Sequence, residues 1–174
     1  RKTAERVVVS IYVNPTQFGT DEDFDRYPRT LDADCDVIAA EGGCDVIYAP
    51  TEIYDATHAT NIMPTGVALP MEGKVRPHFF AGVATVVSKL FHHIPADFAI
   101  FGEKDFQQLA VIRQMVRDLD IDIGIIAHPT IREADGLALS SRNQYLTKPQ
   151  RRLAPKIYAQ MQITSALINN GTDI

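Results

Sequence analysis

Short apolar runs that alternate with helical stretches restrict this chain's fold more than any other feature. Val7-Val8-Val9-Ser10-Ile11-Tyr12-Val13 is β-branched or apolar at nearly every position, the pattern of a strand covered on both faces in a parallel sheet. Asn14-Pro15 breaks it. Asp21, Glu22, Asp23 and Asp25 then precede a helical stretch to about Glu41, with Pro28 tolerated near its start and Gly42-Gly43 closing it. Cys44 to Ala49 predicts a second strand, ended by Pro50.

Residues 50–81 are punctuated by Pro64, Gly66, Pro70, Gly73 and Pro77 and read as a long functional loop with a short strand at Thr65–Leu69. Val83, Val86, Val87, Leu90, Phe91 and Ile94 then keep helical spacing until Pro95. Asp97 to Phe101 predicts a strand that turns at Gly102 into a helix from about Asp105 to Leu119, with Phe106, Leu109, Ile112, Val116 and Leu119 as its apolar stripe. Ile121 to Ala127 predicts another strand. Lys148 to about Asn170 reads as mostly one amphipathic helix, kinked or delayed by Pro155, with Leu153, Ile157, Met161 and Ile168 on one side. Strands alternating with helices imply right-handed βαβ units, and so an α/β, doubly wound parallel sheet. Ligands of such sheets bind beyond the C-terminal ends of the strands.

Composition narrows the function. The 174 residues carry 17 basic and 22 acidic side chains, a formal net charge of −5. That balance argues against a protein held to nucleic acid by phosphate contacts, and against an anionic membrane surface as main partner. No apolar run approaches a membrane span, and Arg1-Lys2-Thr3 does not read as a signal peptide. The strand pattern begins as early as Val7, as it would in the middle of a longer protein. Cys35 and Cys44 are the only cysteines, so two reduced thiols and a cytoplasmic location are expected.

Three segments that follow predicted strands carry unusual polar content. Asn14-Pro15-Thr16-Gln17-Phe18 offers uncharged donors and acceptors suited to a small polar ligand, or forms a plain turn. Gly102-Glu103-Lys104-Asp105-Phe106-Gln107-Gln108 places a glycine and a lysine before a helix, where an anion can bind, while Asp105 and Gln108 have the spacing of a capping box. Leu139-Ser140-Ser141-Arg142-Asn143 sets two hydroxyls beside a guanidinium, a phosphate cradle or a polar turn. Lys104, Arg132 and Arg142 near strand ends of an acidic chain look arranged for a polyanion. His58, His78, His92, His93 and His128 show no metal-ligand spacing.

These segments, with Arg26-Tyr27-Pro28-Arg29-Thr30-Leu31, Met71-Glu72-Gly73, Arg76-Pro77 and Gly82-Val83-Ala84-Thr85-Val86-Val87, resemble the pantoate–β-alanine ligase (pantothenate synthetase) family. The resemblance runs in order from about Val7 to Pro155, through Asp135-Gly136-Leu137-Ala138. It implies a Rossmann-like nucleotidyltransferase core over residues 1–146, and at 147–174 a linker helix and the start of a small C-terminal domain. It further implies a homodimer and an ATP-dependent ligation assisted by Mg²⁺, in which pantoate is adenylated and β-alanine then displaces AMP. By the same resemblance Gln17 and Gln108 bind pantoate. Gly102, Glu103, Lys104 and Asp105 line the ATP site, with Lys104 on phosphate oxygens. Ile131 packs near adenine, and Leu139, Ser140, Ser141 and Arg142 close over the triphosphate. Lys104, Ser140, Ser141 and Arg142 are the catalytic candidates.

The family's Pro-Thr-Met-Gly-x-Leu-His-x-Gly-His signature does not occur in these residues, and His78 stands one position early for the family's Arg-Pro-Gly-His-Phe. The sheet is therefore expected to lack its first strand. Two alternatives stand beside the ligase. One is a catalytically inactive nucleotide-binding or dimerisation fragment, which is the behaviour expected of the 174 residues by themselves. The other is another adenylate-forming nucleotidyltransferase.

Overall fold

A computed structural model describes residues 3–171; the opening Arg1-Lys2 lies outside the described residues. Strand β1 (Val8–Ser10) leads through turns and helix α1 (Leu31–Glu41) to strand β2 (Val46–Tyr48). The two strands pair in parallel, Val9 opposite Ile47. A long connection carrying the one-turn helix α2 (Glu72–Val75) reaches helix α3 (Phe79–His93). Strand β3 (Phe98–Gly102), helix α4 (Phe106–Asp118) and strand β4 (Gly124–His128) form a second parallel unit, with Ile100 opposite Ile126. Helices α5 (Lys148–Leu153) and α6 (Pro155–Asn169) follow. The parallel α/β architecture expected from the alternation is present, as two strand pairs with no ladder joining them among the described residues.

The core sits where α3 meets α4. Val83, Ala84, Val86 and Val87 of α3 pack with Val111, Ile112 and Met115 of α4 and with Ile53, Ala68 and Phe80. Thr85 is buried in the same helix face, and its hydroxyl accepts the Ile62 amide at 3.0 Å, so the burial leaves no unmet polar group.

Several expectations need correction. Residues 19–30 form turns, and α1 begins only after Pro28, because the proline ring disfavours helix in the residue before it. Thr65–Leu69 is no strand: Gly66–Ala68 is a short 3-10 turn, with Gly66 at φ 56° and Ala68 buried. The single C-terminal helix is two. Thr147 and Gln150 form a reciprocal capping box, and Pro155 starts α6 at a position where its missing N–H leaves no bond unmade. Val8 and its partner Val46 are 39% and 53% exposed, so β1 is not covered on both faces among the described residues. Phe106 and Leu119 leave the expected stripe of α4, at 71% and 51% exposure, because they stand at its two ends, the first residue and the C-cap. Leu153, Ile157, Met161 and Ile168 are likewise exposed.

Candidate active site

The turns after β1 and β3 open onto one cleft of about 830 Å³. Gln17 comes from the first turn, Lys104 and Asp105 from the second, Gln108 from the first turn of α4, and Ser140 and Arg142 from the segment after β4. Residues from three separate strand ends thus meet at one place, where a parallel sheet carries its ligands. Gly102, Glu103, Ile131, Leu139 and Ser141 are not among the residues lining it. Gly102 ends β3, and Glu103 opens the 3-10 turn that delivers Lys104. Ile131 and Leu139 lie together, the Leu139 amide donating to the Ile131 carbonyl at 3.0 Å, and both are more than half exposed. Ser141 opens the 3-10 turn Ser141–Tyr145, whose N-cap Ser140 accepts the Arg142 amide.

The polar turn after β1 divides its labour. Asn14 is buried and fully engaged. Its Nδ2 donates to the Gly82 carbonyl of α3 at 3.2 Å, and its Oδ1 accepts from the Thr16 amide and hydroxyl at 3.3 and 3.0 Å. With the turn secured in this way, Gln17 lines the cleft. The same five residues therefore form a turn and supply Asn14, Gln17 and Phe18 to the lining of the cleft.

Asp105 makes no side-chain cap to α4, so the expected capping box with Gln108 is absent. Its carboxylate instead meets Lys104 Nζ at 3.1 Å, with both side chains substantially exposed. An exposed neighbouring pair of this kind holds weakly, which leaves Lys104 available to a stronger anion. Gln107 holds the cleft rim in place, a part that no spacing announces. Its Nε2 donates to the carbonyls of Val67 and Pro70 at 3.0 and 2.7 Å, and its Oε1 accepts the Glu72 amide at 3.1 Å. This pins the connection that brings Met71, at φ 51°, to the cleft rim.

Arg132 does not join the cleft. Its guanidinium lies 3.5 Å from the centre of the Tyr158 ring and donates to the Gly136 carbonyl, which fastens α6 to the loop closed by the Arg132–Ala138 bridge. Arg76, to which the motif reading gave no role, is central. It donates through Nε to Glu22 at 2.7 Å, through Nη1 to Glu72 at 2.9 Å and through Nη2 to the Gln17 carbonyl at 2.6 Å, with a further contact to the second Glu22 oxygen. It also stacks over Phe79. The Arg76 hydrogen bond holds the Glu22 carboxyl below its ordinary value of 4.5. Glu22 therefore adds stability in full above about pH 4.5, and that stability is lost as pH falls through the lowered folded-state value. Arg76→Ala is expected to lower unfolding free energy by about 1–2 kcal/mol at pH 7, where Glu22 and Glu72 are left facing each other. Urea melts should show the difference shrinking at acid pH.

Among the described residues no group of three or more His, Cys, Asp or Glu side chains is arranged to hold a metal ion. Cys35 and Cys44 are free thiols, and no described helix is long and apolar enough to cross a membrane.

The family model for pantoate-beta-alanine ligase matches residues 1–173. Pantothenate synthetase 2 of Bradyrhizobium diazoefficiens is 51% identical over 177 residues, covering 100% of this chain and 62% of that protein. The pantothenate synthetase of Caulobacter vibrioides is 50% identical, covering 98% and 60%. The crystal structure of pantothenate synthetase from Thermus thermophilus superposes with a TM-score of 0.94 at 44% identity, over 98% of this chain and 63% of that one. A pantoate-beta-alanine ligase from Francisella tularensis, complexed with beta-gamma ATP and beta-alanine, gives 0.84 at 40% identity over 91% and 61%. The chain spans about three fifths of the length of these curated relatives. A cleft at the strand ends, on a parallel α/β frame shared at this identity with ligases of one kind, settles the kinship: the chain belongs to the pantoate–β-alanine ligase family.

Proposed function

We propose that the cleft binds ATP and pantoate for acyl adenylation, and that β-alanine then takes the acyl group to give pantothenate. The observation that carries this reading is the convergence of Gln17, Gln108, Lys104, Ser140 and Arg142 on one cavity. A carboxylate is a poor acyl donor until one oxygen becomes part of a good leaving group. In the first step a pantoate carboxylate oxygen bonds to the α-phosphorus, and the bond to pyrophosphate breaks with its electron pair leaving on pyrophosphate. In the second, the uncharged amine of β-alanine bonds to the acyl carbon, AMP departs with the electron pair of the acyl–oxygen bond, and the nitrogen sheds a proton. The residues here position and stabilise charge. Lys104 offsets charge on phosphate oxygens, Ser140 gives a short neutral donor, Ser141 opens the 3-10 turn that carries Arg142, and Arg142 supplies a fork. Gln17 and Gln108 meet pantoate with uncharged donors and acceptors. Mg²⁺ bound together with ATP would offset charge on the phosphates, and the Asp105 carboxylate, which lines the cleft beside Lys104, would be the residue to hold it.

The cytoplasm and a homodimer belong to the same proposal. The test is pyrophosphate release by the protein as the cell makes it. Release is expected only when ATP and pantoate are both present. Release without pantoate, or with another acid in its place, overturns the reading, the second outcome favouring a different adenylate-forming enzyme.

A further inference from the structure

A guanidinium on a flexible stem loses rotamer freedom when it grips an anion, so a fixed partner along one edge makes the other edge a better receptor. Arg142 has such a partner. Its Nε donates to Asp23 Oδ2 and its Nη2 to Asp23 Oδ1, both at 2.8 Å. The two residues stand 119 positions apart. Asp23 is 10% exposed at its side chain against 49% for Arg142, and only Arg142 lines the cleft.

The carboxylate is itself held in an ordered frame. Phe18 packs edge-on against Phe24 and Tyr27, with ring centres 5.2 and 5.6 Å apart, so residues 18–27 form an aromatic knot and not a loose acidic loop. The Arg142 guanidinium lies 5.0 Å from the Tyr27 ring centre and 5.8 Å from that of Phe18. A second tie runs beside it, the Tyr145 hydroxyl donating to the Arg26 carbonyl at 3.2 Å. Asp23 takes the Nε–Nη2 edge, while the described residues give Nη1 no hydrogen-bond acceptor.

We propose that Asp23 is a positioning residue for the ligase site: it fixes Arg142 by the Nε–Nη2 edge so that Nη1 is presented, already ordered, to a phosphate in the cleft. This rests on the reading of the cleft as an ATP site. An incoming phosphate does not have to displace Asp23, because the pair occupies one edge of the fork only. The Arg142 hydrogen bonds also hold the Asp23 carboxyl well below the usual carboxylate range, so the anchor keeps its charge through the neutral range.

The test is calorimetric titration of the protein as the cell makes it, with ATP and with adenosine as separate probes. Asp23→Asn keeps the size of the side chain and loses one acceptor. It is expected to weaken ATP binding by about tenfold, the scale on which groups orienting a ligand-binding side chain act, with adenosine affinity unchanged. In an Arg142→Ala background the same substitution is expected to change ATP affinity less than about twofold, since Asp23 then has nothing to orient. Equal ATP affinity with and without Asp23→Asn overturns the inference. So does a loss that is shared by adenosine or that persists without Arg142, since either marks a general structural role. If Asp23→Asn does not fold, Asp23→Glu carries the test, retaining charge while shifting the carboxylate: several-fold weaker ATP binding supports the inference and unchanged binding overturns it. Absence of ATP binding in the unaltered protein sinks the functional reading and this inference with it, whereas normal ATP binding that ignores position 23 sinks the inference alone.

Discussion

Lys104→Ala is expected to cut pantoate-dependent pyrophosphate release by about a hundredfold to a thousandfold, the range seen when one preorganised charge-stabilising group is removed. Stability should barely move. Lys104 is 41% exposed and its ion pair among the described residues is with the neighbouring Asp105, so the unfolding free energy changes by less than about 0.5 kcal/mol. The loss should fall on kcat as well as on kcat/KM, because the developing charge on the departing pyrophosphate exceeds that of bound ATP. Wild-type turnover in this variant, with its melting curve unchanged, would remove Lys104 from the mechanism. A fall in both turnover and melting temperature would instead point to a structural part for the turn Glu103–Asp105.

Gly82→Ala is expected to act the other way, on the fold first. A methyl group at Gly82 would stand 2.5 Å from the Thr16 carbonyl oxygen and 2.8 Å from its carbonyl carbon. Both atoms are backbone, so no side-chain rotation relieves the clash. Either α3 withdraws from the turn Pro15–Gln17 or the turn moves outward. In both cases the Asn14 amide loses the Gly82 carbonyl and stands buried with a donor unmet. Overpacking together with an unmet donor amounts to about 3 kcal/mol. Chemical denaturation measures it, and a midpoint equal to that of the unaltered protein would show that the helix and turn have slack. Gln17 rides on the same turn, so substrate affinity should fall even at temperatures where the variant stays folded.

What the residues reveal and what they conceal divides along physical lines. Helix α3 was legible because Val83, Val86, Val87 and Leu90 repeat with the helical period and face one core. β3 and β4 were legible for their continuous apolar runs. The segment Thr65–Leu69 misled because its apolar residues alternate like a strand, while Gly66 bends into a left-handed conformation that no pattern of hydrophobicity encodes. The break at Pro155 was visible, yet the cap that begins α5 lay in the reciprocal bonds of Thr147 and Gln150. In the site, Gln17, Lys104, Gln108, Ser140 and Arg142 came from motif likeness, and the cleft gathers them. Their roles are proposals of chemistry. Arg132 looked the equal of Arg142 by charge and place in sequence. The family resemblance gave a role to Arg142 alone, and the fold separates the two in space, Arg132 stacked on Tyr158 and Arg142 at the cleft. Asp23 could not be singled out from Asp21, Glu22 and Asp25 by spacing, since its partner lies 119 residues away.

Asn14 ties one wall of the cleft to the helix that carries the core. The Thr16 amide is held by Asn14 Oδ1, and Asn14 is held by the Gly82 carbonyl. Proton exchange at the Thr16 amide is therefore expected to be slow, and hydrogen exchange measures it. The opposite rim, where Ser141–Tyr145 meets residues 23–27, is joined by side-chain bonds from Arg142 and Tyr145 and by no backbone ladder among the described residues. One wall of the cleft is thus tied into the core through a buried amide, and the other is held by side-chain bonds between segments more than a hundred residues apart.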